Sequence, residues 1–157
     1  MSDNPTDILL VCSGNTCRSP MAEGLAKQII ASDLGVGPSD LEKHNYHVHS
    51  AGTFAMDGMP VSPEAVEAMD KQGIDIASHF STAITKQLID DATMIYCMTE
   101  SHRRAVLEIQ PDAASKVLRL DDQGDVDDPI GMGLSAYLRT AEMIRRGLDS
   151  RLKELIK

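Results

Sequence analysis

Cys12 and Arg18, with Ser13, Gly14, Asn15, Thr16 and Cys17 between them and Ser19 beyond, are the residues from which chemistry is most readily built. A cysteine supplies a nucleophile, and the planar fork of an arginine binds two oxygens of a phosphate, which a lysine does not reproduce. Five intervening residues suffice to wrap successive backbone N–H groups around a tetrahedral oxyanion. A helix starting just beyond would add the positive end of its dipole. Gly14 and Asn15 are expected to take the left-handed conformations that such a nest requires. The same positive field stabilises negative charge on the Cys12 sulfur, so a nucleophile results without a histidine base. The bland alternative is a buried cysteine with an unrelated arginine nearby.

Cleaving a phosphoester through a cysteine intermediate needs a proton for the leaving group and later a base for water, and one carboxyl serves both steps. Asp125, Asp127 and Asp128 compete for this part, against the alternative of a solvated acidic loop. Pro129 would restrict the backbone of Asp128 and help fix its position. Cys17 shares the loop with Cys12. It either packs beneath the loop or forms a reversible disulfide that shields the nucleophile from over-oxidation. Cys97 lies in an apolar strand pattern and is expected in the core. No His/Cys/Asp cluster has ligand spacing along the chain, and the chemistry already has its nucleophile and cation, so no metal or other cofactor is expected.

These residues need a scaffold. Ile8 to Cys12 is a short apolar run of the kind that forms a strand buried on both faces. A helical pattern begins near Ser19, with Pro20 and Glu23 in its first turn and Met21, Leu25 and Ile29 at helical spacing. Leu34 to His44 reads as a surface connection to a second strand, His47 to Ala51. Ser62 to Gln72 reads as a helix stopped by Gly73. Thr85 to Ala92 is a short helix, Thr93 to Met98 a buried strand, and Glu100 to Gln110 a helix that Pro111 ends. Lys116 to Leu120 forms a last strand, Asp121 to Gly133 an acidic loop, and Ser135 to Ile156 a long amphipathic helix. Strands alternating with helices imply an α/β fold with a parallel sheet covered on both faces. Ligands in such sheets bind beyond the carboxyl ends of the strands, where Cys12 stands.

The bulk properties narrow the partners. The 157 residues suit one domain, 1–157, with 42% hydrophobic and 25% charged residues. A formal charge of -9 argues against nucleic acid or anionic membrane as a partner of the bulk surface, so an anion site must be built locally. No apolar run approaches a bilayer span, and the start MSDNPTD lacks the marks of a secretion signal. Three cysteines form no disulfide framework. A cytoplasmic monomer is expected.

Val11 to Glu23, V-C-S-G-N-T-C-R-S-P-M-A-E, resembles the signature of the low-molecular-weight protein tyrosine phosphatases and their bacterial protein arginine phosphatase relatives. The likeness extends through Ser50-Ala51-Gly52-Thr53, Ser78-His79, Cys97-Met98-Thr99 and Asp125-Val126-Asp127-Asp128-Pro129. It implies the fold of that family, a four-stranded parallel sheet with helices on both faces. It also implies a hydrolase acting on phosphorylated proteins, with Cys12 as nucleophile, Arg18 as ligand of the phosphate and transition state, and Asp128 as general acid. It further implies that Ser19, Ser50 and His79 support Asn15, and that Ser19 can donate to the sulfur. Without the resemblance, Ser19 would read as a helix cap and His79 as a satisfied turn histidine.

Tyrosine phosphatases of this family commonly carry an apolar residue in place of Thr16 and an aromatic pair after the Asp-Pro. Here Ile130-Gly131 follows, and Phe54 can form one wall of the pocket. The arginine phosphatase branch resembles this chain more closely, except that Ile130 stands where relatives have an aromatic. A threonine hydroxyl can accept from a guanidinium, which an aliphatic side chain would leave unpaired. Protein phosphoarginine is therefore expected over phosphotyrosine. A thioredoxin-coupled arsenate reductase would need two further cysteines close together, and only Cys97 lies outside the loop. A phosphate-binding module without catalysis would not need Asp128.

Overall fold

A computed structural model describes residues 4–156, so Met1 to Asp3 of the polar start lie outside the described residues. Four parallel strands, β1 (Thr6–Cys12), β2 (Tyr46–Gly52), β3 (Met94–Cys97) and β4 (Val117–Arg119), form one sheet in the order β2-β1-β3-β4. Five α-helices accompany them: α1 (Arg18–Leu34), α2 (Pro63–Asp70), α3 (Lys86–Asp91), α4 (Glu100–Ile109) and α5 (Leu134–Leu155).

The unbroken apolar run of β1 has a direct cause in this arrangement. Successive side chains of a strand point to opposite faces. Ile8, Leu10 and Cys12 enter one core with Met21 and Leu25 of α1, Met69 of α2 and Ile144 and Leu148 of α5. Leu9 and Val11 enter the other with Ile89 of α3 and Val106 of α4. With both faces covered, no position from Ile8 to Val11 is left for a polar residue. Each such aliphatic side chain contributes about 1.5–3 kcal/mol by leaving water.

The helix ends follow local chemistry. Thr85 and Thr99 cap α3 and α4 by accepting the N–H groups of Leu88 and His102. Gly73, at φ +74°, turns the chain after α2 in a conformation that L side chains rarely adopt. Two stretches depart from the sequence reading. The connection Leu34 to His44 contains a 3-10 helix, Pro38–His44, because Pro38 supplies a helical φ at its first position. Pro111 both ends α4 and opens a second 3-10 helix, Pro111–Lys116, so that β4 shortens to three residues.

The chain leaves β1 for β2 on one side and crosses to β3 on the other. Beyond the carboxyl ends of β1 and β3 the connections diverge, and this is the usual place for a ligand in a sheet of this kind. Cys12 is the last residue of β1 and so stands at that end of the sheet. Among the described residues, no helix is long and apolar enough to cross a membrane.

Candidate active site

The segment from Ser13 to Cys17 turns from β1 into α1, and it is tied down from outside. The carbonyls of Cys12 and Ser13 accept the N–H groups of Thr53 and Phe54, and that of Thr16 accepts the N–H of Ser62. Gly52 makes this approach possible. A Cβ there would meet the Ser13 carbonyl oxygen and come within 3.0 Å of the Asn15 nitrogen, so any larger residue would push the loop off the sheet.

Asn15 is the residue in the left-handed conformation, at φ 57°. Gly14 is not, which corrects the sequence expectation. One left-handed residue suffices here because Asn15 is fully buried and held by its own side chain. Its amide donates to Ser19 Oγ at 2.7 Å and Ser50 Oγ at 3.0 Å, while its Oδ1 accepts the N–H of Thr82 at 2.8 Å. His79 Nε2 lies 3.2 Å from both Asn15 oxygens. Ser50 in turn donates to Glu23 Oε1 at 2.7 Å, and His79 Nδ1 stands 3.7 Å from the same oxygen. A continuous chain of hydrogen bonds therefore runs from Glu23 through Ser50, Asn15 and Ser19 to the sulfur. Such a network polarises and fixes each member. Glu23 was visible in the sequence only as a first-turn helix residue; its role here depends on β2 bringing Ser50 alongside.

Cys12 Sγ lies 2.9 Å from Ser19 Oγ. An ionised sulfur can only accept, so Ser19 is then the donor. Ser19 is not the cap of α1: the cap position is Cys17, and no side chain caps that end. None of the N–H groups of Gly14, Asn15, Thr16 or Cys17 donates to a backbone carbonyl, among the described residues. These amides and an uncapped helix start beside them are the kind of donors from which an oxyanion site is built.

Arg18 is buried and donates to the carbonyl oxygen of Val126 at 3.0 Å. Its other terminal nitrogen lies 3.6 Å from Asp128 Oδ2. Of the three carboxyls left open by the sequence, Asp128 is the one that reaches Arg18. Asp125 instead accepts the N–H of Glu100 at the start of α4 and pairs with Arg119 at 3.4 Å. Asp127 is exposed. Asp128 is half-exposed and accepts the N–H of Ile130, which anchors a side chain that can still reach solvent.

The pocket residues are less enclosed. Thr16 is partly buried, whereas Phe54 is 92% exposed and Ile130 63%. Side chains as exposed as Phe54 and Ile130 do not wall a closed slot. A groove of about 360 Å³ is lined by Asp128, Pro129, Met132, Arg139 and Met143, but by neither Cys12 nor Arg18.

The sulfur of Cys17 donates to Ser62 Oγ at 3.2 Å and lies 3.5 Å from the Tyr137 hydroxyl. Burial, then the Cys17 contact, pushes the Tyr137 phenol up to about 12. All three cysteines are free. Burial likewise pushes the Cys97 thiol up to about 12, which leaves it an inert core residue.

His102 escaped the sequence reading. Its Nε2 lies 2.7 Å from Ser13 Oγ and its Nδ1 3.0 Å from Thr99 Oγ1. It therefore pins the first residue after Cys12 to the start of α4. Burial, and after it the charge of Arg18, pushes the imidazole down to about 4. A neutral ring between two hydroxyls, donating at one nitrogen and accepting at the other, suits either tautomer. The sequence signal, a histidine three residues after a capping threonine, is too common to have identified it.

This depression has a consequence for stability. Between the ordinary value of 6.5 and about 4, the unfolded chain takes up a proton at this histidine that the folded chain refuses. The folded state therefore loses stability as pH falls through that window. Denaturant unfolding at about pH 7 and about pH 5 should show a smaller drop for His102→Gln than for the unaltered chain. Equal drops would remove His102 from the acid sensitivity.

Comparison with known proteins agrees with this geometry. The family model described as low molecular weight phosphotyrosine protein phosphatase matches residues 7–157. A probable low molecular weight protein-tyrosine-phosphatase, EpsP, from Ralstonia solanacearum is 37% identical over 145 residues, 91% of each chain. A protein-arginine-phosphatase from Bacillus subtilis is 35% identical over 156 residues, 96% of this chain and 97% of its own. The solved structure of YwlE arginine phosphatase, a cysteine-to-serine mutant with a phosphorylated active-site serine, superposes with a TM-score of 0.84 at 35% identity, covering 96% of both chains. The chain belongs to the low molecular weight phosphotyrosine protein phosphatase family and is a protein phosphatase, a hydrolase.

Proposed function

We propose that this chain, as one catalytic domain over 1–157, hydrolyses phosphorylated protein side chains in the cytoplasm, with phosphoarginine preferred to phosphotyrosine. The Cys12 sulfur attacks phosphorus while the loop amides and Arg18 hold the phosphoryl oxygens. The bond from phosphorus to the leaving nitrogen or oxygen breaks, and its electron pair takes the proton of the Asp128 carboxyl. Water then attacks the phosphocysteine, Asp128 accepts its proton, and the sulfur–phosphorus bond breaks to release inorganic phosphate. A monomer acting on phosphorylated proteins, without nucleic acid, membrane or cofactor, completes the reading.

The observation that carries the mechanism is that Asp128, from the distant loop after β4, stands 3.6 Å from Arg18, the residue that closes the loop begun by Cys12. The serine phosphorylated in the related arginine phosphatase structure supports a covalent intermediate at the corresponding position. An arsenate reductase relay is disfavoured, since Cys97, the remaining cysteine, is fully buried in β3.

Identity alone does not discriminate the substrate, since the tyrosine and arginine relatives are nearly equally similar. Thr16 is what favours arginine. Its Oγ1 has Cys17 Sγ, at 3.9 Å, as its hydrogen-bond partner among the described residues, a contact weak enough to leave the hydroxyl available to a guanidinium. Phe54 is almost fully exposed and Ile130 is aliphatic, so the two do not supply a pair of aromatic faces for a phenyl ring. Parallel turnover of matched phosphoarginine and phosphotyrosine peptides tests this, and a clear preference for phosphotyrosine refutes it. Thr16→Ile should shift the ratio of kcat/KM toward phosphotyrosine by roughly 5- to 150-fold, the equivalent of about 1–3 kcal/mol for an unpaired polar group.

A further inference from the structure

At the end of the sheet remote from Cys12, strand pairing assembles a second set of donors. His47 and His49 alternate along β2 and therefore share a face, and the register sets Asp7 of β1 directly beside His47. We propose that Asp7, His47 and His49, completed by Glu42, form a binding site for a divalent transition-metal ion such as zinc. Spacing along the chain does not reveal this group, because Asp7 and the histidines are far apart in sequence and meet only through the sheet.

The geometry is close to what zinc requires. One ligand atom from each of Asp7, His47 and His49 lies within 4.8 Å of the others. Ligands at about 2.0–2.2 Å from a tetrahedral ion stand roughly 3.3 Å apart, so small side-chain rotations close the set. His49 Nε2 and Asp7 Oδ1 are now 2.7 Å apart, bridged by a proton. An ion takes the place of that proton, which moves to the other ring nitrogen and leaves the imidazole neutral. The two imidazoles stand edge to face with centroids 4.2 Å apart.

Glu42 Oε1, on the 3-10 helix before β2, lies 3.4 Å from His47 Nδ1 and is 80% exposed, free to swing in as a fourth ligand. Asp7 and His49 are 13% and 23% exposed, so half the set is already anchored. Two imidazoles with two carboxylates favour zinc, copper or nickel over magnesium or calcium. Asp7 precedes Cys12 on the same strand by roughly 17 Å, so the ion acts on the fold and not on the chemistry. It ties the edge strand β2 and the helix before it to β1.

The test uses the full chain carrying Cys12→Ser, which removes the sulfur that would compete for metal. Zinc chloride titrated against thermal unfolding should raise Tm saturably, by about 5–10 °C at a hundredfold excess over Kd. The double change His47→Gln, His49→Gln should abolish the rise. In case that variant folds poorly, cobalt(II) added to the Cys12→Ser chain should broaden the ring signals of His47 and His49 before those of His44, His79 and His102. No rise in Tm, an unchanged rise in the double variant, or broadening spread evenly over all histidines would overturn the site.

Discussion

Cys12→Ser should lower turnover by at least about 10⁴-fold while phosphate or vanadate still binds within a few-fold of the parent affinity. In the proposed mechanism the sulfur supplies the bond to phosphorus, and a serine hydroxyl in its place lacks a base to activate it. Yet the loop does not depend on the sulfur for its shape. Asn15, at φ 57°, is held by Ser19, Ser50, Thr82 and His79, and the Cys12 and Ser13 carbonyls are bonded to the Thr53 and Phe54 amides. None of these bonds involves Sγ, so the oxyanion site survives the substitution. The experiment pairs steady-state kinetics with calorimetric titration of the oxyanion. Retained turnover would remove Cys12 as nucleophile, and loss of oxyanion binding would mean that the sulfur, not the asparagine network, maintains the nest.

Asp128→Ala should be the next most damaging change, and its effect should depend on what leaves. A guanidine or phenol departs slowly without a proton, so kcat on phosphoarginine or phosphotyrosine peptides should fall by roughly 10²–10⁴-fold. An activated aryl phosphate, whose leaving group needs no proton, should lose far less. Arg18 keeps its bond to the Val126 carbonyl when Asp128 is gone, so phosphate binding should persist. Asp127→Ala provides the comparison, since its side chain is exposed and makes no contact with Arg18. Equal loss on both substrates would argue against Asp128 as the acid. A strong effect from Asp127→Ala would reassign the role within the loop.

Leaving-group dependence matters because the sequence alone could not choose among Asp125, Asp127 and Asp128. All three lie in one acidic loop, and nothing in local composition separates them. Asp-Pro suggested Asp128 through resemblance. In the structure Asp125 is occupied at the start of α4 and with Arg119, while Asp128 lies 3.6 Å from Arg18. Element positions, by contrast, were largely legible. The apolar run of β1, the capping threonines at Thr85 and Thr99 and the break after α2 each announce themselves within a few residues. The misreadings have local causes too. Pro38 opens a 3-10 helix in what reads as a surface connection, and Pro111, read as the end of a helix, opens another. Gly14 was credited with a conformation that only Asn15 adopts, because a side chain able to bond across the loop can stabilise a left-handed residue better than a glycine that makes no such bond.

What the sequence determined by itself is the candidate phosphate loop: the proposed nucleophile, the amides and the arginine are contiguous from Cys12 to Arg18, and a strand ending where a helix begins is the arrangement that can wrap them round an anion. Tertiary structure decided everything that must reach that loop from elsewhere. Ser50 arrives because β2 pairs with β1 in register, His79 and Thr82 because the chain returns past Asn15, His102 because α4 starts beside Ser13, and Asp128 because the loop after β4 crosses Arg18. The same pairing gathers Asp7, His47 and His49 at the opposite end. Local sequence encodes dihedral preference and periodicity. Which distant side chains then meet is set by strand register and crossover, and these follow from burying two apolar faces at once.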